Sequence, residues 1–162
     1  ELVESLQLAA KYDRKILVEQ GVNVREIEIS VLGNEQPAVS VPGEIKASNE
    51  FYDYKAKYID NKSVSVIPAE IPADITAKIQ KLAVETYLAL ECEGFARVDF
   101  FIDRDNGQIY LSEVNTLPGF TEISMYPKMW EAAGLPVDQL LKKLVELAEE
   151  RFADRAKNSI DC

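Results

Sequence analysis

Two strand-like runs lie a few residues apart in the second half of the chain, and they leave little choice of partner. Residues 96–102 (ARVDFFI) and 108–114 (QIYLSEV) are rich in β-branched and aromatic side chains. Between them stands Asp103-Arg104-Asp105-Asn106-Gly107. A three-residue loop, Asp105-Asn106-Gly107, with Gly107 left-handed, closes a common kind of hairpin. Pairing 104 with 108 then sets Asp99 opposite Glu113 and Arg97 opposite Asn115. Directly opposed residues share a face, as do residues two apart on one strand. Arg97, Asp99, Glu113 and Asn115 therefore project together.

That face needs a chemical reason. Two carboxylates on paired strands repel unless a cation lies between them. Asp, Glu and Asn offer hard oxygen ligands, which suit Mg²⁺ rather than zinc or copper. An arginine beside them can meet a phosphate or a developing oxyanion. The plain alternative is a solvated strand face with a surface salt bridge. The large apolar neighbours on either side weigh against it, but chemistry alone leaves both readings open.

Composition removes other classes. Lys and Arg total 18 against 28 Asp and Glu, a net charge of −10, which disfavours nucleic acid as a partner. There is no histidine. His-based triads, His general bases and most catalytic zinc sites are thereby excluded. Cys92 and Cys162 form no metal spacing and no disulfide framework, which fits a reducing, cytoplasmic setting. No apolar run approaches the roughly 20 residues of a membrane span, so no membrane partner is expected.

The other elements follow from periodicity. Residues 1–11 carry Leu2, Leu6 and Ala9/Ala10 at helical spacing. Residues 15–20 (KILVEQ) and 25–33 (REIEISVLG) read as strands around a turn with Gly21 and Asn23. In the second, Ile27, Ile29 and Val31 alternate with Glu26, Glu28 and Ser30, the period of a half-buried strand. Short strands are expected at 37–41 and 64–67. A helix over 73–91 would bury Ile75, Ile79, Leu82/Ala83, Thr86 and Leu90 on one face. A short helix over 127–133 has Pro127 at its first position and stops at Gly134. A long one over 136–156 would pack Leu140, Leu141, Leu144, Leu147/Ala148 and Phe152. The tail 157–162 should fray. From Gly43 to Asn61 the pattern changes, and there Phe51–Tyr58 (FYDYKAKY) crowds aromatics and lysines with no clean period into a long loop, often a functional feature.

The segments Arg97-Val98-Asp99 and Glu113-Val114-Asn115-Thr116-Leu117-Pro118-Gly119-Phe120-Thr121 resemble the metal-binding signature of the ATP-grasp ligases. The continuation Ser124-Met125-Tyr126-Pro127 and the FYDYKAKY loop narrow the resemblance to the D-alanine–D-alanine ligases, over about residues 12–151. The resemblance implies an α+β (α/β) fold, a mainly antiparallel sheet flanked by helices. Residues 1–156 would be the C-terminal ATP-grasp domain, with 42–62 as an omega loop. It also implies that N-terminal and central domains are absent here. A start inside a helix without Met agrees with that.

The family's residue roles come across only by this resemblance. Asp99, Glu113 and Asn115 match its ligands for two Mg²⁺ (or Mn²⁺) ions. Arg97 and the backbone amide of Gly119 match its oxyanion stabilisers. Glu19 matches the residue beside adenine and Glu26 the one on the ribose hydroxyls of ATP. Lys57 would touch the transferred phosphate and Tyr58 would line the second amino-acid subsite. Ser124, with Met125 beside it, would receive the carboxylate of the second D-alanine.

The implied reaction is ATP-dependent ligation of two D-alanines through an acyl phosphate, for peptidoglycan precursor synthesis. The implied partners are ATP, D-alanine, the missing N-terminal half and, at full length, a second copy as a homodimer. The isolated chain is expected to be inactive, because Lys57 and Arg97 are too few cations for a triphosphate. The competing readings are another ATP-grasp carboxylate–amine ligase and a non-catalytic module of the same descent.

Overall fold

A computed structural model of the chain describes residues 1–46 and 64–158. In chain order the elements are α1 (Leu2–Ala9), β1 (Val24–Leu32), β2 (Ala38–Val39), β3 (Gly43–Lys46), β4 (Val64–Val66), α2 (Ala73–Ala89), β5 (Phe95–Asp103), β6 (Ile109–Asn115), α3 (Met125–Ala132) and α4 (Val137–Arg155). The strands form one sheet in the order β4-β3-β1-β5-β6, with β2 added beside β1. Every described pairing is antiparallel, as expected for this fold class.

Alternation along the strands decides what covers the sheet. Ile27, Ile29 and Val31 of β1 and Ala96, Val98, Phe100 and Ile102 of β5 point to one face. There they form the main core with Ile79, Ala83 and Tyr87 of α2. The buried stripe of α2 is therefore Ile79-Ala83-Tyr87, and Leu90 is exposed beyond the helix end. On the other face, a second cluster joins Leu32 to Tyr126, Trp130, Leu140 and Leu147, so α3 and α4 cover only one end of it. The rest of that face carries the polar residues.

Several expectations change. Residues 16–23 form no strand, and Leu17 and Val18 are exposed. The run has the composition of a strand, but β3 and β5 already flank β1, so it cannot pair with β1 across the Gly21–Asn23 turn. Helix α1 buries none of its residues. Residues 43–46, within the span expected as loop, form β3; Phe51–Tyr58, with Lys57 and Tyr58, lies outside the described residues, as do 159–162. Helix α3 begins at Met125 rather than Pro127. Proline fits there too, because N–H groups throughout the first turn lack helical partners. On α4 only Leu140 and Leu147 are buried, while Leu141 and Phe152 face outward.

The hairpin reaches the expected pairing by an unexpected route. Gly107 is left-handed, with φ +72°. The ladder next to the loop pairs Ile102 with Ile109 and Phe100 with Leu111, one residue out of the register the sequence implies. A β-bulge between Asp99 and Phe100 corrects it: Ser112 has no opposite residue, and beyond it Asp99 faces Glu113 and Arg97 faces Asn115.

Candidate active site

The polar face of the sheet is built in rows. β1 pairs with β5 so that Glu28 stands opposite Asp99 and Ser30 opposite Arg97. β6 then adds Glu113 to the first row and Asn115 to the second. Three acidic side chains thus run side by side across β1, β5 and β6. A cleft of about 220 Å³ opens over them, lined by Glu26, Glu28, Asp99, Phe101, Ser112 and Glu113.

Arg97 is the cation at the centre. Its Nε donates to Asp99 Oδ1 at 2.8 Å and its Nη2 to Asp99 Oδ2 at 2.7 Å, a two-pronged fork. Nε also lies 3.3 Å from Glu28 Oε2, and Nη2 lies 3.9 Å from Glu113 Oε1. The side chains of Arg97, Glu28 and Asp99 are only 10–14% exposed, whereas that of Glu113 is 61% exposed. Burial alone would lower the guanidinium pKa. The hydrogen bonds to Asp99 and the charges of Glu28, Asp99 and Glu113 outweigh it and raise the pKa further. Arg97 is a permanent cation here.

Past β6 the chain turns sharply over the same end of the sheet. Asn115 Oδ1 accepts from the Leu117 amide at 3.1 Å and tightens the exit from the strand. Ser124 occupies the position before α3 but makes no side-chain bond to the helix. Its Oγ accepts instead from Thr121 N at 2.9 Å and lies 2.9 Å from Thr121 Oγ1. A Cβ at Gly119 would stand 2.9 Å from that same oxygen, so the Gly119 backbone and the Ser124 hydroxyl are immediate neighbours. The start of α3 is fixed to β1 from both sides. Ser30 Oγ donates to Tyr126 O at 3.2 Å, and the Tyr126 hydroxyl donates to Val31 O at 3.0 Å. Ser30 is also the cross-strand neighbour of Arg97, so the Ser124 turn is tied to the sheet beside the guanidinium. Met125 is buried and packs on Gly43 of β3, where a Cβ would meet Met125 Cε at 2.5 Å.

A family model described as D-ala D-ala ligase C-terminus matches residues 1–146. The chain belongs to this family. D-alanine–D-alanine ligase from Acetivibrio thermocellus is 51% identical over 157 residues, which is 97% of this chain and 42% of that protein. The enzyme of the same name from Thermoanaerobacter sp. is 54% identical over 158 residues, 97% of this chain and 44% of that protein. Among solved structures, the D-alanine–D-alanine ligase from Coxiella burnetii superposes with a TM-score of 0.80 at 38% identity. It covers 96% of this chain and 40% of its own. The VanG D-Ala:D-Ser ligase from Enterococcus faecalis gives 0.78 at 41% identity, over 90% of this chain and 42% of its own. The chain thus spans less than half the length of these relatives.

Within this family domain, the sheet brings together Arg97, Asp99, Glu113 and Asn115, and sets Glu26 in the same cleft. Gly119 and Ser124 meet in the adjoining turn. Glu19 is not among the residues lining the cleft. It is exposed in the unpaired segment 16–23, not at the end of a strand. Glu28 was not singled out by sequence reasoning. Alternation put it on the polar face of its strand, but nothing in the sequence said that this strand pairs with β5.

The donor set fits a hard divalent cation. Asp99 and Glu113 supply carboxylates and Asn115 an amide oxygen, all on paired strands of one face, and Glu113 is exposed enough to turn. Among the described residues no three His, Cys, Asp or Glu side chains converge as a ready cage. The donor set proper has two carboxylates and an amide, and both Asp99 oxygens are engaged by Arg97. No described helix is long and apolar enough to cross a membrane.

Proposed function

We propose that this chain is the part of an ATP-dependent ligase that holds Mg·ATP and the second substrate, joining two D-alanines into D-alanyl-D-alanine for peptidoglycan precursor synthesis. The observation that carries the reading is the Arg97–Asp99–Glu113–Asn115 constellation on β5 and β6, beside the turn that joins Gly119 to Ser124. The relatives' names agree with it.

The roles follow from the chemistry of the groups. Asp99, Glu113 and Asn115 would hold two Mg²⁺ (or Mn²⁺) ions, which offset phosphate charge as a carboxylate attacks the γ-phosphoryl group. Glu26 would bind the ribose hydroxyls and Glu19 would lie beside adenine. Arg97, a permanent buried cation, stabilises the acyl phosphate and the oxyanion formed when the second amine attacks its carbonyl. The Gly119 amide donates to that same oxyanion. Ser124 donates to the carboxylate of the second amino acid, while Met125 anchors the turn against β3. Lys57 and Tyr58, on the loop over 42–62, would complete the phosphate and amino-acid subsites. Ligands held on two paired strands and one tied turn supply positioning, the larger part of such catalysis.

The reading extends to the whole protein. The ligase needs the N-terminal half that its relatives carry, acts as a homodimer and works in the cytoplasm. D-serine is a second candidate for the amine substrate, because a D-Ala:D-Ser ligase is among the similar structures. The test is phosphate release from Mg·ATP with D-alanine, alone and with D-serine. It is run first with this chain and then with the missing half supplied. D-alanine-dependent release only after complementation is the expected result. A folded pair that binds Mg·ADP yet releases no phosphate with either amino acid would overturn the reading.

A further inference from the structure

Glu28 has no role in the reaction as described above, yet it is buried against Arg97, the cation of the cluster among the described residues. We propose that Glu28 is a positioning residue for Arg97, taking over the guanidinium when Asp99 turns to a divalent cation. The inference rests on the metal-site reading given under the proposed function.

The geometry gives both the need and the direction. Arg97 donates to both Asp99 oxygens, at 2.8 and 2.7 Å. A guanidinium and a dication on one small carboxylate repel each other strongly in a partly buried site. Metal binding at Asp99 therefore displaces Arg97. The Arg97 side chain is 10% exposed, so it cannot simply swing into water, and a buried cation that loses the carboxylate it is hydrogen-bonded to needs another one. Two other carboxylates lie within reach. Glu113, 3.9 Å away on β6, stands on the metal side of Asp99. Glu28 stands on the opposite side, on β1 and in register with Asp99, with Oε2 already 3.3 Å from Arg97 Nε. A small pivot toward β1 moves Arg97 from Asp99 to Glu28 and opens the β5–β6 side to metal. The same pivot frees the outer nitrogens of Arg97 for an oxyanion.

A bare negative charge near the site would also favour metal, so the test must separate charge from transmission through Arg97. Mn²⁺ affinity is measured by electron paramagnetic resonance with ADP present, in the wild-type chain, Glu28→Gln, Arg97→Met and the double variant. The expected result is that Glu28→Gln weakens Mn²⁺ binding about tenfold, equivalent to about 1.4 kcal/mol. In the Arg97→Met background the same substitution should change affinity less than about twofold, because there is no guanidinium left to hold. Equal factors in both backgrounds, or no effect in the first, would overturn the inference and leave the metal site standing. Absence of Mn²⁺ binding in the folded wild type would remove the metal reading and this inference with it. Should Arg97→Met fail to fold, Glu28→Asp decides. It keeps the charge but withdraws the carboxylate by one methylene, so positioning predicts a loss close to that of Gln, whereas no loss would overturn the proposal.

Discussion

Replacing Arg97 with methionine is the sharpest test of the cluster, because it removes the cation and keeps much of the bulk. The side chains of Glu28 and Asp99, 10% and 14% exposed, would then face each other across β1 and β5 without the guanidinium between them. Breaking a buried ion pair by deleting one partner costs about 3–5 kcal/mol. Glu113 is open to water and adds little, which places the expected loss at the lower end, about 3 kcal/mol. For a chain of this size each kcal/mol moves Tm by about 2–4 °C, so Arg97→Met should melt about 6–12 °C below wild type without metal. Divalent cation should reverse part of this. A ligand at a hundred times its Kd adds about 2.7 kcal/mol to the folded state. Asp99 is already released in the variant, so Mg²⁺ should raise its Tm more than it raises that of wild type. Thermal melts by circular dichroism, with EDTA and with Mg²⁺, read both effects. A loss below about 1 kcal/mol, or a Mg²⁺ response no larger than wild type, would refute the view that Arg97 neutralises a cation-seeking acidic row.

Three further outcomes follow from other parts of the molecule. Arg25 donates to Glu44 at 2.8 and 2.7 Å, and this hydrogen bonding above all, against the opposing effect of burial, holds the Glu44 carboxyl below its usual range. A depressed carboxyl stabilises the fold above its unfolded pKa and loses that contribution as pH falls through the folded value. Urea melts from pH 7 to pH 3 should therefore show Glu44→Gln less stable at neutral pH by about 1.5–3 kcal/mol, the scale of hydrogen bonds to a charged group, and with a flatter acid limb; an unchanged limb would refute the linkage. Gly119→Ala should press on the Ser124 hydroxyl, 2.9 Å from the added Cβ. In the complemented ligase it should lower kcat/KM for the second amino acid by about tenfold to a hundredfold, the scale of a misplaced binding group, while Tm stays within about 3 °C of the parent. Tyr126→Phe deletes the hydroxyl that donates to Val31 O at 3.0 Å. It should cost about 1–2 kcal/mol of stability by denaturant titration; no measurable loss would mean that α3 is not tied to β1 through that bond.

The hairpin was readable because its signals are local. Strand composition, a loop ending in Gly107 and a period of two put Arg97, Asp99, Glu113 and Asn115 on one face. The order of the motif then carried the family. Even there, the pairing expected at the site was reached through a bulge at Ser112 that compensates a register shift near the loop. No local rule placed that bulge. The same locality misled at residues 16–23. Leu17 and Val18 have strand-like composition, but a strand exists only where a neighbour offers hydrogen bonds, and β3 and β5 already occupy both sides of β1. On α4, helical period alone did not say that Leu140 and Leu147 would be covered and Leu141 and Phe152 left outside; the width of the packed stripe is set by α3 and β1.

By itself, then, the amino-acid sequence determined the chemistry available: no histidine, hard oxygen ligands, one strategic arginine and a turn rich in small and hydroxylated residues. Tertiary structure decided which of those groups act on one another. Glu28 is 69 positions from Arg97 in the chain, yet it stands beside the guanidinium because β1 and β5 are neighbours. Likewise, Ser30 and Tyr126 bring the Ser124 turn to the sheet across 96 positions. Side-chain period is a property of neighbouring residues and is written into the sequence. The choice of strand partner comes from competition among all strands for a limited number of backbone ladders, and only the assembled sheet resolves it.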